Sequence, residues 1–194
     1  MSLTMNRREA LRQAMAVLGG ASLLSSQTLF AAAASLDRDA VPEGFTAAQV
    51  AWLDEVADTI LPETDTPGAK QAACGALMAI WVADVYEPEE AKTFLAGMDT
   101  LEQECQAAYG AGFMAATPDQ RVELLTRLDQ EAKNYQDSKA EGDADHYFRM
   151  MKELTLFGYF TSEPGRTKAL RYIETPGRWD PCIDYDGGPL WVGH

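Results

Sequence analysis

The sequence predicts an all-α protein, one small domain of about five helices continued by an extended tail that carries aromatic residues. Three observations lead there. Apolar residues recur at spacings of three and four in successive segments, and no segment alternates at the period of two that a half-buried strand requires. The stretch from His146 to Tyr172 is the longest apolar and aromatic run outside the N-terminus: Tyr147, Met151, Leu154 and Gly158 form one helical stripe, and Phe148, Met150, Leu156, Phe157 and Phe160 cover much of the remaining circumference. A helix apolar nearly all round is buried on several sides, so this segment reads as the central helix of the core. Residues 161–194 hold five Gly and four Pro in 34 positions, yet they also carry Tyr172, Trp179, Tyr185 and Trp191. Solvated linkers are poor in large rings. The tail is therefore expected to be extended and covered, either by the helices of this chain or by a partner surface.

Residues 1–34 read as an address and not as part of the fold. Asn6-Arg7-Arg8-Glu9-Ala10-Leu11-Arg12 is a basic twin-arginine segment, followed by an apolar run from Ala14 to Phe30 diluted by Gly and Ser. Ala31 to Ala34 then offer small-residue cleavage sites. Such a run is a poor membrane anchor. Arg7 and Arg8 are the export-signal residues, read by the twin-arginine translocase, and the expected location of the remaining domain, residues 35–194, is the periplasm.

The first helix opens with a capping box, Thr46 with Gln49 three residues on, and Phe45 before it can staple onto Val50. Val50, Leu53, Ala57 and Ile60 make its inner stripe, and Pro62 ends it. The turn-rich loop Glu63-Thr64-Asp65-Thr66-Pro67-Gly68 is expected to supply side-chain caps for a second helix, whose stripe is Cys74, Leu77, Met78, Trp81 and Val85. Glu87-Pro88-Glu89-Glu90 begins a third, with Pro early and acids at the positive end of the helix dipole. It buries Phe94, Met98, Leu101, Cys105 and Ala108 and stops at Tyr109-Gly110. A second capping box, Thr117 with Gln120, opens a fourth helix with Val122, Leu125 and Leu128 inward. Asn134 to Asp145 is polar and acidic and reads as a surface loop, with Asp143 or Asp145 as N-cap of the central helix. That helix should stop at Thr161-Ser162-Glu163-Pro164-Gly165, where Pro lacks a donor and Gly accepts a positive φ.

Removing residues 1–34 takes away three Arg and one Glu and leaves 13 basic against 29 acidic side chains, a net charge of −16. A surface that acidic repels phosphate backbones and excludes nucleic-acid binding as the function. Cys74, Cys105 and Cys182 fit no metal spacing, and there is no C-x-x-C-H for haem. Cys74 lies on an apolar stripe and reads as a small hydrophobe. His146 beside Glu141, Asp143 and Asp145 invites a metal, but acids before a helix are more often a solvated loop. Glu153 and Glu163 flank the end of the central helix, and nothing beyond that proximity makes them a catalytic pair. Nucleophile, metalloprotease and dinucleotide motifs are absent. The residues name no catalytic, cofactor or metal site.

Two stretches carry a resemblance. Ala57-Asp58-Thr59-Ile60-Leu61-Pro62-Glu63-Thr64-Asp65-Thr66-Pro67-Gly68-Ala69 and Lys152-Glu153-Leu154-Thr155-Leu156-Phe157-Gly158-Tyr159-Phe160-Thr161-Ser162-Glu163-Pro164-Gly165, together with the leader and the later Ala169-Leu170-Arg171-Tyr172 and Pro176-Gly177-Arg178-Trp179, resemble the gluconate 2-dehydrogenase subunit 3 family. Pro164 departs from that family's pattern. The resemblance implies a non-catalytic small subunit of a membrane-associated sugar, polyol or sugar-acid dehydrogenase. Its FAD and active site would lie in a separate large subunit, often with a cytochrome c subunit to take the electrons. It also gives the leader a purpose, because a flavoprotein that folds around FAD before export can cross by riding on a partner that carries the signal. A stand-alone periplasmic structural or binding protein is the alternative. The surface expected to meet the large subunit lies around Tyr159, Phe160, Tyr172, Trp179 and Trp191.

Overall fold

The computed structural model describes residues 41–194 apart from 141, 176, 178–181, 183, 186, 193 and 194. The leader with Arg7 and Arg8, Glu141, Trp179 and the side chain of Trp191 lie outside the described residues. The described part is all-α, as the sequence predicts, with five α-helices: α1 (Ala47–Ile60), α2 (Cys74–Asp84), α3 (Pro88–Tyr109), α4 (Pro118–Ser138) and α5 (Tyr147–Thr161). A 3-10 turn (Phe113–Ala115) joins α3 to α4, and a π turn (Gly165–Ala169) follows α5. Two two-residue strands, β1 (Arg171–Tyr172) and β2 (Trp191–Val192), pair in parallel, Arg171 opposite Trp191.

The helix starts follow from local chemistry. At α1 the Thr46 hydroxyl accepts from the Gln49 N–H (3.2 Å) while Gln49 Oε1 accepts from the Thr46 N–H (2.9 Å), and Thr117 with Gln120 repeats the box at α4. Glu90 reaches back to the Glu87 N–H at α3, which ends on Gly110 at φ 70. Two expected caps are corrected. The N-cap of α5 is His146 and neither aspartate: its Nδ1 accepts from the Phe148 N–H at 3.2 Å. Asp145 is held instead by Lys139 and Gln136. The second, at α2, is taken up below.

α5 packs on each of the other four helices, so the central position expected of it is found. Phe148, Met150, Met151, Leu154, Thr155, Gly158 and Tyr159 are its buried residues. Each large apolar chain among them contributes about 1.5–3 kcal/mol on burial. Burial is not all-round, however: Leu156, Phe157 and Phe160 remain exposed. Val85, Ala108 and Val122, expected inside, are also exposed. Val85 is the C-cap of α2 and Ala108 lies in the last turn of α3, where a face continues past its cover. Val122 stands about 100° round α4 from the centre of the buried set Leu124, Leu125, Leu128 and Ala132. Finally, α4 runs on to Ser138, so Asn134–Ser138, expected as loop, is helix.

Candidate functional site

Two sequence stretches, 57–69 and 152–165, lie far apart in the chain, and the fold brings them together. The loop after α1 is closed by its own backbone, the Ala69 N–H donating to the Leu61 carbonyl at 2.9 Å. Asp58 of α1 accepts from the Lys70 N–H at 3.3 Å. A Cβ on Gly68 would stand 2.5 Å from that Asp58 oxygen and 2.7 Å from the Glu63 nitrogen, so only Gly allows the loop to close this tightly. From α5 the Tyr159 hydroxyl donates to the Pro67 carbonyl at 2.7 Å and pins the loop to the central helix.

α2 then begins at Ala73, a left-handed residue at φ 53 with no side-chain cap of its own. The loop side chains expected to cap this helix do not. Asp54 of α1 supplies the acceptor instead, taking the Gly75 N–H at 2.7 Å. A carboxylate on one helix thus satisfies one of the free donors of the next, where the dipole also favours it. Burial pushes the Asp54 carboxyl above its ordinary range despite the opposing pull of the Gly75 N–H. Next to it Glu55 is held below its ordinary range, chiefly by the Lys70 ammonium at 2.8 Å, with Arg121 on its other oxygen. Arg121 also donates to the Phe113 and Met114 carbonyls and so ties the α3–α4 connection to α1.

Where α2 crosses α5, the Cys74 thiol lies against the Thr155 carbonyl (3.7 Å), and a Cβ on Gly158 would meet Leu77 at 2.8 Å. Burial pushes the Cys74 thiol up to about 12, so it packs as an unreactive hydrophobe, as its place in the sequence suggests. Cys105 is buried and Cys182 exposed, and all three thiols are free. α5 stops where expected, but Gly165 is not at positive φ. It is buried in the π turn, where a Cβ would strike the Tyr159 carbonyl. The Ser162 hydroxyl bridges the break, donating to the Tyr159 carbonyl and accepting from the Gly165 N–H. Pro164 sits at φ −61, an angle its ring prefers, so the turn accommodates it without strain.

The side chains expected at a partner surface separate here. Tyr159 faces inward and is 4% exposed, a core residue through its bond to Pro67. Phe160 and Tyr172 are open to solvent, the latter with the Arg166 guanidinium 4.9 Å above its ring. Trp191 lies in β2 by its backbone. Sequence reasoning missed the exposed Phe157, whose ring meets Trp81 of α2 edge-on at 4.8 Å. Its signal was present: Phe157 and Phe160 are three apart in a helix whose buried stripe was already complete.

The other suggested groups are engaged structurally. His146 stacks on Tyr147 at 4.5 Å, burial pushes its imidazole below the usual range, and Asp143 accepts from the Ala140 N–H. Glu153 pairs with Arg149 at 2.8 Å. Among the described residues no group of three His, Cys, Asp or Glu side chains is placed to hold a metal ion, and no described helix is long and apolar enough to cross a membrane.

The family model of gluconate 2-dehydrogenase subunit 3 matches residues 47–177. The chain belongs to that family. The match covers α1 to β1 and both stretches that the fold joins. No curated protein and no solved structure matches the chain. Membership in the subunit 3 family makes it one subunit of a dehydrogenase complex.

Proposed function

We propose that this chain is a non-catalytic accessory subunit of an FAD-dependent, membrane-associated dehydrogenase that oxidises a sugar, polyol or sugar acid. In this reading it carries the twin-arginine signal for the complex into the periplasm and stays as a stabiliser of the flavin-bearing large subunit. A cytochrome c subunit would complete the assembly. The observation that carries the proposal is the family match over residues 47–177. The fold supports it, because Tyr159 on Pro67 joins the two motif stretches, and Cys74 on Thr155 ties α2 to the same helix, beside a surface of open aromatic rings. Rigid corners with exposed rings suit docking, where preorganisation lowers the ordering cost.

The carrier role is tested at Arg7 and Arg8. Replacing both by Lys should leave this chain and its flavin-bearing partner together in the cytoplasm, as fractionation and flavin content would show. Export of either protein at the wild-type level would remove the carrier role.

A further inference from the structure

Two described phenylalanines are exposed, and both lie on α5. Phe94, Phe113 and Phe148 are buried and Phe45 is half-buried, whereas Phe157 and Phe160 keep 44% and 41% of their surface open. Three residues apart, they share one helix face. The patch continues onto α2 through the Trp81–Phe157 contact, and Val85, one turn beyond Trp81, is 54% exposed. One open apolar side chain is ordinary, but two open rings on one helix face, carried onto the next helix by a ring contact, mark a contact surface.

Acids lie at the border of this patch: Glu153, paired with Arg149 at 2.8 Å, stands one turn before Phe157 on α5, and Asp84 precedes Val85 in the chain. Past Glu153 opens a cleft of about 470 Å3 whose lining includes Glu89, Glu90 and Asp143. Lys139, also in its wall, is paired with Asp145 at 2.6 Å. The whole chain carries −14.

We propose that this face seats another subunit of the dehydrogenase complex through an apolar segment flanked by Lys or Arg. The segment packs on Trp81, Phe157 and Phe160, and its cations meet the acids at and beyond Glu153. The inference rests on the reading of this chain as a complex subunit. A second copy of the chain would set acidic border against acidic border, and a bilayer with anionic headgroups would meet the same repulsion. A basic-flanked partner gains from both parts of the surface.

The test uses the full chain co-expressed with the other subunits of its complex. Phe157→Ser with Phe160→Ser should weaken the complex at least tenfold at unchanged helical circular dichroism and melting temperature, while Val122→Ser, on the exposed side of α4, binds as wild type. If the double variant melts early, Phe160→Ser alone serves. Glu153→Lys should slow association at low salt, with the difference fading as salt rises. Undiminished binding by the Phe variants overturns the face and leaves the subunit reading intact. Absence of any co-purifying subunit from wild type overturns both. Dimerisation of the free chain, or binding to phosphatidylglycerol vesicles, that is lost with the two rings would assign the face to another occupant and likewise overturn the proposal.

Discussion

Single atoms decide which positions the fold leaves no choice. A Cβ on Gly75 would lie 2.5 Å from the Asp54 nitrogen and 2.6 Å from the Val50 carbonyl, both backbone, so α1 and α2 would have to part. On Gly158 the nearest atom is the tip of Leu77, which can swing aside. Gly75→Ala is therefore expected to cost about 2–3 kcal/mol in chemical denaturation and Gly158→Ala under about 1. Asp54 adds a pH signature. Because its folded-state pKa is raised, its contribution to stability is fully present below the ordinary aspartate pKa and is lost as pH rises through the raised value. Asp54→Asn keeps an acceptor for the Gly75 N–H without the charge. It should be at least as stable as wild type at neutral pH, the gain shrinking as the solution is acidified below the carboxylate range. Asp54→Ala leaves the donor unpaired and should lose about 1 kcal/mol at either pH. Denaturation midpoints across that range read both outcomes, and an Asn variant clearly weaker than wild type at pH 7 would contradict the desolvation argument.

At the scale of elements, what the sequence made legible was local. The boxes at Thr46 and Thr117, the Gly110 stop and the break after Thr161 all rest on neighbours within a few residues, and all are found. What it concealed depends on distant partners. The cap of α2 comes from Asp54, 21 residues away, and the polar end of α4 is held by Tyr135 donating to the Ala144 carbonyl at 3.0 Å and by Lys139 on Asp145. Periodicity gives the direction of a buried face but not how far a neighbour covers it, so Val85 and Ala108 continue their stripes and yet lie open. Of the rings expected at a partner surface, Phe160 and Tyr172 are open, whereas Tyr159 could be known as core only through Pro67, 92 residues away. Tyr159→Phe should orphan that carbonyl, cost about 1–2 kcal/mol and raise amide exchange in the loop from Pro62 to Ala73. Unchanged exchange there would show that α5 does not hold the loop. The tail's own backbone bonds run from Arg171 to Leu190 and between β1 and β2. Truncation after Leu170 is thus expected to keep the helical melt within a few degrees, and loss of the melt would make the tail part of the core.

For the whole molecule, the acidic charge, the central α5 and the open aromatic face describe a protein built to be one part of something larger. Its family membership says the same in coarser terms. The proposed flavin dehydrogenase, with its chemistry in another chain, is tested most directly by isolating the native protein with whatever accompanies it and recording the visible spectrum. A co-purifying large subunit with flavin absorbance near stoichiometry is expected, and a colourless small chain once the two are separated. Isolation of this chain alone and colourless, or with flavin bound to the small chain itself, would contradict it.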